Sequence, residues 1–424
     1  MGSGHFALKY SNRLKEVEGI DPRTGETVKK WVKLADWWLC HLKRTQYEGV
    51  RYMPYDDRDV VNGYRNLWTG FAVLPTKGEK HLSLLEHVKR NICRNNEEHY
   101  NYLIGWSAFA IQNRREKTGV AVVLKSEGEG TGKGTWLTYL GRLYGKHYRH
   151  VTQPEHLVGK FNAHLQACSF VFADEAFFAG DRRHESVLKT VITENEIQVE
   201  PKGLDLLSVP NFMNVALASN KSFVVPAGPT SRRYFVLDVA EDNMQDSEFF
   251  AKIRDDMDKH GGRSHLLHYL LTYDLTGFDV RKVPVTDALK EQRAHSRKGI
   301  DSLVETVARN GVLPFAHYKK PSWAVTSGAR ANGGFWAHCR DTYPDLKFST
   351  PENMMRDLRD KWGCDSRSTG GRNYCIFPVL SELRRRFDKH HGKQDWTRGP
   401  AEWQALTAYE PDGNGQPRDE EFPL

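Results

Sequence analysis

Residues 120–136, which read VAVVLKSEGEGTGKGTW, decide the fold of this chain. The apolar run at 120–124 predicts a buried strand, and a helical pattern starts where the glycine-rich stretch ends. Glycines leave successive backbone N–H groups free to surround phosphate oxygens, and the following helix directs its positive end at them. Lys133 adds a mobile positive charge. The order strand, loop, helix therefore predicts an α/β fold with a nucleoside triphosphate site.

This loop departs from the common phosphate-loop pattern at two positions. Glu127 stands where the pattern has glycine, and Gly134 stands where it has Ser or Thr, so Thr135 becomes the expected magnesium hydroxyl. The Glu127 carboxylate is expected to weaken ATP binding by charge repulsion. A glycine-rich hairpin turn is the alternative for the whole stretch. We expect ATP to contact Gly128, Gly130, Thr131, Gly132, Lys133, Gly134 and Thr135.

Length and composition narrow the class of protein. A chain of 424 residues suggests two to four domains. The six cysteines form no Cys-x-x-Cys pair, which argues against a zinc ribbon or a secreted disulfide framework. The sequence contains no run of about 18 apolar residues and no signal peptide, so we expect no membrane partner and a cytoplasmic location. The net charge of +7 suits a polyanionic partner such as DNA.

An acidic pair follows the next strongly apolar run. Residues 169–173 predict a strand buried on both faces, and Asp174 and Glu175 come directly after it. At a strand end beside the phosphate loop, Asp174 can hold Mg²⁺ and Glu175 can polarise an attacking water. An ordinary acidic pair on the surface is the alternative.

Two further strands carry polar residues at their ends. Asn220 follows the strand at 215–218, where its amide can contact the terminal phosphate, although an Asn in a tight turn is the simpler interpretation. Arg232 and Arg233 precede the strand at 234–237. A guanidinium supplied across a subunit boundary can stabilise transition-state phosphate charge, whereas a solvated arginine pair is the alternative.

Two segments suggest contact with DNA. Residues 197–207 predict a hairpin with Lys202 at its tip, in position to touch a DNA backbone unless it is a solvated surface lysine. Further on, Thr350 and Pro351 predict the start of a helix, followed by a polar loop at 366–372 and a strand at 374–377. Helix, basic loop and strand favour a winged helix, although a charged surface helix with a flexible loop fits almost as well. The DNA-contacting candidates here are Arg356, Arg359, Arg367 and Arg372.

The remaining pattern gives coarser expectations. Helices are predicted over 35–43 and 81–94, and an amphipathic helix over 100–112. The region 245–295 is helical and charged. The tail from residue 411 is expected to be disordered. Residues 1–4 look like a cloning remnant, so we expect the natural chain to extend further.

The ordered set of motifs resembles the superfamily 3 helicases of the AAA+ kind, specifically the primase-helicase modules of bacteriophages and mobile elements. The resemblance covers roughly residues 35–240. It is carried by 38–54, 66–71, the phosphate loop, 172–175, the Lys202 hairpin, 218–220 and 231–233. It implies a homo-oligomeric ring, usually a hexamer, with ATP and Mg²⁺ between subunits. Asp174 and Glu175 would be the acidic pair, Asn220 the phosphate sensor, and Arg232 or Arg233 the finger from the neighbouring subunit.

The resemblance also implies a function and a domain order. The function is that of an ATP-dependent DNA helicase acting on single-stranded and forked DNA. The location is the host cytoplasm if the protein is phage-encoded. The helicase would be fused to a primase-polymerase or have one as its partner. One alternative is a DNA-binding and oligomerisation module with weak or absent ATPase activity, and another is a nucleotide kinase, suggested by Gly-Lys-Gly-Thr. The expected order is a mixed α/β region at 1–100, a P-loop AAA+ ATPase core at 101–240, a helical segment at 241–300, a winged-helix candidate at 301–395 and a tail at 396–424.

Overall fold

The computed structural model describes most of the chain. The chain divides into two compact units, Met1–Gly70 and Phe71–Leu424. The described residues are 3–153, 155–158, 162–175, 182–200, 205–228, 231–297, 299–313, 322–324, 334–342, 350–369 and 372–404. None of the helices within these ranges is long and apolar enough to cross a membrane.

The first unit contains two small sheets and two helices. Its elements are α1 Ser3–Lys9, β1 Leu14–Ile20, β2 Thr27–Lys33, α2 Leu34–Cys40, β3 Gly49–Arg51, β4 Val60–Val61 and β5 Tyr64–Asn66. β1 and β2 form an antiparallel ribbon, and β5 lies between β3 and β4. The buried amide of Asn66 stabilises the second sheet, because it accepts from the Met53 N–H and donates to the Met53 carbonyl, both at 3.0 Å.

The second unit is built on a parallel sheet. Its helices up to residue 295 are α3 Leu82–His87, α4 Glu97–Gln112, α5 Lys133–Leu143, α6 Glu155–Val158, α7 Arg182–Thr193, α8 Ser247–Asp258, α9 Gly262–Thr272 and α10 Asp287–His295. The strands are β6 Ala121–Lys125, β7 Tyr148–Val151, β8 Phe170–Asp174, β9 Glu196–Val199, β10 Leu207–Pro210, β11 Asn214–Ser219 and β12 Tyr234–Asp238. A π-helical turn, Val88–Ile92, extends α3.

The five sheet strands lie in the order β12-β6-β11-β8-β7, and every neighbouring pair is parallel. The apolar parts of β6, β8 and β12 are buried, as predicted for a parallel sheet covered on both faces. Because Ala218 pairs with Asp174 and Ser219 pairs with Lys125, these strands end at one common edge. The glycine-rich loop therefore leaves the sheet beside the ends of β8 and β11.

The prediction of an amphipathic helix over 100–112 is right about the helix and wrong about its exposed polar face. α4 is a helix at this place, but it is buried on nearly all sides. Its polar side chains find partners inside the fold: Trp106 donates to the Val120 carbonyl at 2.9 Å, and Tyr102 donates to the Val280 carbonyl at 2.6 Å. Spacing of the largest apolar residues suggested one apolar face because the small residues between them carried no clear signal.

The C-terminal elements are α11 Ile300–Asn310, β13 Ser322–Ala324, α12 Gly334–Thr342, α13 Pro351–Trp362, β14 Asp365–Thr369, β15 Arg372–Ile376 and α14 Leu380–His391. β15 lies between β13 and β14 in an antiparallel sheet. The start of α13 is confirmed, since the Thr350 side chain accepts from the Asn353 N–H. The predicted polar loop at 366–372 is wrong in extent. Residues 366–369 belong to β14, because pairing with β15 satisfies their backbone groups.

Candidate functional site

The glycine-rich loop is held in a form that depends on glycine. Gly130 and Gly132 have φ angles of +75° and +81°, in the left-handed region that favours glycine. A Cβ atom on Gly132 would lie 2.5 Å from the ring of Phe250 and 2.6 Å from the ring of His87. Gly132 is also the N-cap of α5, so the positive end of that helix opens into the loop.

A buried histidine supports the loop from below. The Nε2 atom of His87 lies 3.1 Å from the Gly132 carbonyl oxygen. Burial lowers the pKa of His87 to about 4, so the ring is neutral at physiological pH. Since the carbonyl only accepts, Nε2 carries the proton and donates it. No local pattern in the sequence marks this residue, because nothing links it to a loop 45 positions away.

Lys133 is the first residue of α5, and its ammonium group is directed at acceptors in and beside the loop. It donates to the Ser126 hydroxyl at 2.7 Å, to the Gly128 carbonyl at 3.0 Å and to the side-chain oxygen of Asn220. Burial lowers the pKa of Lys133, whereas the carboxylates of Glu175 and Asp174 act to raise it. The four-carbon stem of a lysine lets its ammonium group turn from such acceptors to phosphate oxygens.

The acidic pair and Asn220 converge on this lysine. β11, which leads to Asn220, lies between the loop strand β6 and the acidic strand β8. Both Glu175 oxygens are engaged: Oε1 accepts from the Asn220 N–H at 2.8 Å, and Oε2 accepts from the Ser219 hydroxyl at 3.2 Å. The structure thus brings together residues that the sequence separates by 87 positions, from Lys133 to Asn220.

A cleft of about 700 Å³ extends from the loop between α5 and α8. It contains the predicted residues Gly130, Thr131, Gly132, Lys133, Gly134, Thr135, Asp174, Glu175 and Asn220. Its far wall contains residues that the sequence did not single out, among them Tyr139, Arg142, Phe250, Arg254 and Asp258. Tyr139 donates to Asp258 at 3.1 Å, which joins the two helices across this wall.

The two acidic residues flanking Gly128 occupy different clefts. Glu129 lines the cleft that contains Lys133, whereas Glu127 lines a neighbouring one together with Arg90, Arg94 and Lys125. Gly128 itself donates its N–H to Glu241 at 2.7 Å. Of these two residues, Glu129 rather than Glu127 therefore faces the cleft that is expected to hold the phosphates.

Arg232 and Arg233 lie at the amino ends of the sheet strands, opposite the carboxyl edge that carries the glycine-rich loop. They come just before β12, whose first residue, Tyr234, pairs with Ala121 at the start of β6. Lys133 follows the end of β6, so the length of a strand separates the arginines from their own loop. They line a second cleft, of about 590 Å³, with Arg281 and Lys189. Among its described lining residues, the charged ones are all basic.

Within the described residues, no group of three or more His, Cys, Asp or Glu side chains could form a metal site alone. A site with few protein ligands fits Mg²⁺, because proteins commonly hold this ion through one or two carboxylates together with substrate phosphates and water. Asp174 and Thr135 line the same cleft and provide one carboxylate and one hydroxyl.

The candidate DNA contacts are only partly described. Arg356 and Arg359 are exposed on α13, where Arg356 donates to Asn353 at 2.9 Å and Arg359 to Ser366 at 3.1 Å. Arg367 is exposed on β14, and Arg372 begins β15. Lys202 and the tail from 411 lie outside the described residues, although the predicted hairpin arms are present as the antiparallel pair β9 and β10.

The fold and the site define a mixed α/β protein with a parallel sheet and a glycine-rich loop at the carboxyl edge of that sheet. Residues 124–233, which include the loop, match a family described as a family of unknown function (DUF5906). The chain is 25% identical over 198 residues to the DNA primase-polymerase of Nitratiruptor phage NrS-1. That alignment covers 45% of this chain and 27% of the relative.

Solved structures support the same relationship at the level of fold. The apo structure of the NrS-1 C-terminal region matches with a TM-score of 0.51, and its A form with 0.54. Both are 17% identical and cover 72% of this chain and 77% of theirs. The chain is therefore similar in sequence to a phage replication protein and in fold to the C-terminal region of that protein.

Proposed function

We propose that this chain is a nucleotide-binding and DNA-binding module of a phage-type replication protein of the primase-polymerase kind. The observation that carries the proposal is the convergence of Lys133, Glu175 and Asn220 at the glycine-rich loop. Similarity to the NrS-1 primase-polymerase supports a setting in DNA replication. The module need not hydrolyse its nucleotide, since binding alone can stabilise one conformation or assembly.

The cleft fits ATP with Mg²⁺. The loop backbone from Gly130 to Thr135 lines this cleft, and Lys133 supplies a positive charge for the phosphates. Thr135 and Asp174 would hold the Mg²⁺, which neutralises phosphate charge when bound. This neutralisation is needed, because Glu129 and Glu175 bring negative charge into the same cleft.

The C-terminal elements support a DNA-binding role. The order from α11 to β15 is helix, strand, helix, helix, strand, strand, with an antiparallel three-stranded sheet. This order supports a winged helix, in which α13 would be the recognition helix and the β14–β15 hairpin the wing. Arg356, Arg359 and Arg367 would contact the phosphate backbone, and Lys202 would add a contact from the β9–β10 hairpin.

A second candidate function is an ATP-driven helicase built on an AAA+ core. The position of Arg232 and Arg233 favours it, because arginines one strand length from their own loop suit a site in a neighbouring copy. Head-to-tail contact of this kind would form a ring, such as a hexamer, where the rotation between copies closes on itself. Glu175 would then polarise the attacking water, with its carboxylate oriented by Asn220 and Ser219.

One set of measurements separates these functions. ATP binding and hydrolysis are measured with and without single-stranded DNA, on the wild type and on Lys133→Ala, together with the mass of the assembly. Nucleotide and DNA binding without DNA-stimulated hydrolysis supports the module. DNA-stimulated hydrolysis that is lost in Lys133→Ala supports the helicase. Absence of nucleotide binding by the wild type contradicts both, and phosphorylation of a nucleoside monophosphate would support the kinase alternative instead.

A further inference from the structure

His150 lies beside Asp174 on the outermost strand of the parallel sheet. β7 and β8 pair in parallel, with His150 opposite Phe172. The His150 ring stacks on the Phe172 ring, with centroids 4.8 Å apart and planes 4° from parallel. Its Nε2 atom lies 3.3 Å from the Oδ2 atom of Asp174. The stack and the hydrogen bond together fix the imidazole against the carboxylate.

The direction of this hydrogen bond follows from chemistry. An ionised carboxylate only accepts, so Nε2 carries the proton and donates it. The bond engages Oδ2 and leaves the other carboxylate oxygen, Oδ1, for a further ligand. Carboxylates that hold metal ions are commonly oriented by such hydrogen bonds from residues that do not touch the metal.

The same stack also reaches the loop. A Cβ atom on Gly134 would lie 3.4 Å from the Phe172 ring, which shows that the first turn of α5 packs on this ring. Phe172 therefore contacts both His150 and the backbone that carries Thr135. Asp174 and Thr135, the two residues that would share the cation, line the same cleft on either side of this packing.

We propose that His150 is a positioning residue for Asp174, which it orients toward the divalent cation that accompanies the nucleotide. This inference rests on the function proposed above. It assigns His150 no contact with the nucleotide and no proton transfer. Loss of the donor should weaken cation binding by about tenfold, as is common for residues that orient metal ligands.

Two substitutions separate the hydrogen bond from the stack. His150→Phe keeps an aromatic ring against Phe172 and removes the donor, whereas His150→Gln removes the ring and keeps an N–H of similar reach. The probe is Mn²⁺, followed by its electron paramagnetic resonance signal in the presence of a saturating non-hydrolysable ATP analogue. Thermal unfolding of both variants controls for stability.

We expect His150→Phe to bind Mn²⁺ about tenfold more weakly than the wild type and His150→Gln to stay within about threefold of it. Equal Mn²⁺ affinity in His150→Phe and the wild type would overturn the inference while leaving the nucleotide site intact. Equal weakening in both variants would overturn it as well, because the ring rather than the donor would then matter. A wild type without nucleotide-dependent Mn²⁺ binding would overturn the proposed function itself.

Discussion

Gly132 is the loop position at which a single methyl group should do most damage. Gly132→Ala places a Cβ against Phe250 and His87 in a left-handed backbone conformation. The conformation alone costs about 1–2 kcal/mol, and the contacts add to it. We expect the free energy of unfolding of the variant to fall by at least about 2 kcal/mol. We also expect the variant to lose most of its affinity for the nucleotide.

Gly134→Ala is the matched control, because its added Cβ would meet only Phe172, at 3.4 Å, within the first turn of α5. Urea unfolding and titration with a fluorescent ATP analogue measure both variants. Equal effects of the two substitutions would mean that the loop does not have the described conformation.

His87 gives the site a dependence on pH. Its pKa is about 4 in the folded chain against an ordinary 6.5, so below pH 6.5 the unfolded chain takes up a proton that the folded chain excludes. Stability from this group is therefore complete above pH 6.5 and is lost as the pH falls toward 4. Between pH 7 and pH 5 the loss should be about 2 kcal/mol.

His87→Gln keeps a donor toward Gly132 and removes the titration. Chemical unfolding at both pH values should therefore show a smaller loss in the variant than in the wild type. An equal loss in the two proteins would assign the acid sensitivity to other groups.

Residues that end a strand were predictable one by one, whereas those that support them were not. Asp174 and Asn220 follow apolar runs whose period and length mark them as buried strands, so the carboxyl edge collects them. His87 and His150 act through contacts with Gly132 and Asp174 that only the folded chain creates. A single histidine in a sequence carries no sign of such a partner.

At the scale of the element, α13 and the β14–β15 hairpin carry the DNA-binding hypothesis. The double variant Arg356→Ala, Arg359→Ala removes two exposed guanidinium groups from one face of α13. DNA affinity should fall roughly tenfold, and the slope of its logarithm against the logarithm of salt concentration should decrease by about 2.

Fluorescence anisotropy over a salt series measures this change. The control is Lys252→Ala, Lys259→Ala, on α8 and at its C-terminal cap, which removes the same charge elsewhere. If the control loses as much affinity as the α13 variant, net charge rather than α13 attracts the DNA.

The boundaries of α13 and β14 show which structural features the local sequence can predict and which it cannot. The Thr350 cap and Pro351 located the start of α13 because a side chain and a fixed φ angle mark it directly. The polar stretch at 366–369 predicts a loop by its composition, yet β15 pairs with it as a strand. Pairing between strands is decided by the partner, which the segment itself does not contain.

At the scale of the whole molecule, the helicase candidate makes a claim about subunits. If Arg232 and Arg233 act on a neighbour, then Lys133→Ala and the double variant Arg232→Ala, Arg233→Ala are each inactive alone for different reasons. A mixture contains interfaces that pair an intact loop with intact arginines, so DNA-stimulated hydrolysis should partly return. Native mass spectrometry confirms that the copies mix. Mixed assemblies without any recovered hydrolysis would rule out arginines that act between copies.

The parallel sheet and its loop followed from the sequence because buried strands and a phosphate loop have strong local signatures. The burial of α4 could not be predicted from the sequence, since it depends on the packing of α9 and of the backbone at Val280 against that helix. The cleft wall formed by Tyr139 and Asp258 was equally hidden, because 119 positions separate the two residues.

The proposed site requires Lys133 to bind Mg-ATP, and isothermal titration of the wild type and of Lys133→Ala measures this binding. Lys146→Ala, which removes an exposed lysine beyond α5, is the control. We expect one ATP per chain for the wild type and for the control, and at least about tenfold weaker binding for Lys133→Ala, because a charged hydrogen bond contributes roughly 1.5–3 kcal/mol. Equal ATP affinity in Lys133→Ala and the wild type, or no binding to the wild type, would contradict the proposed site.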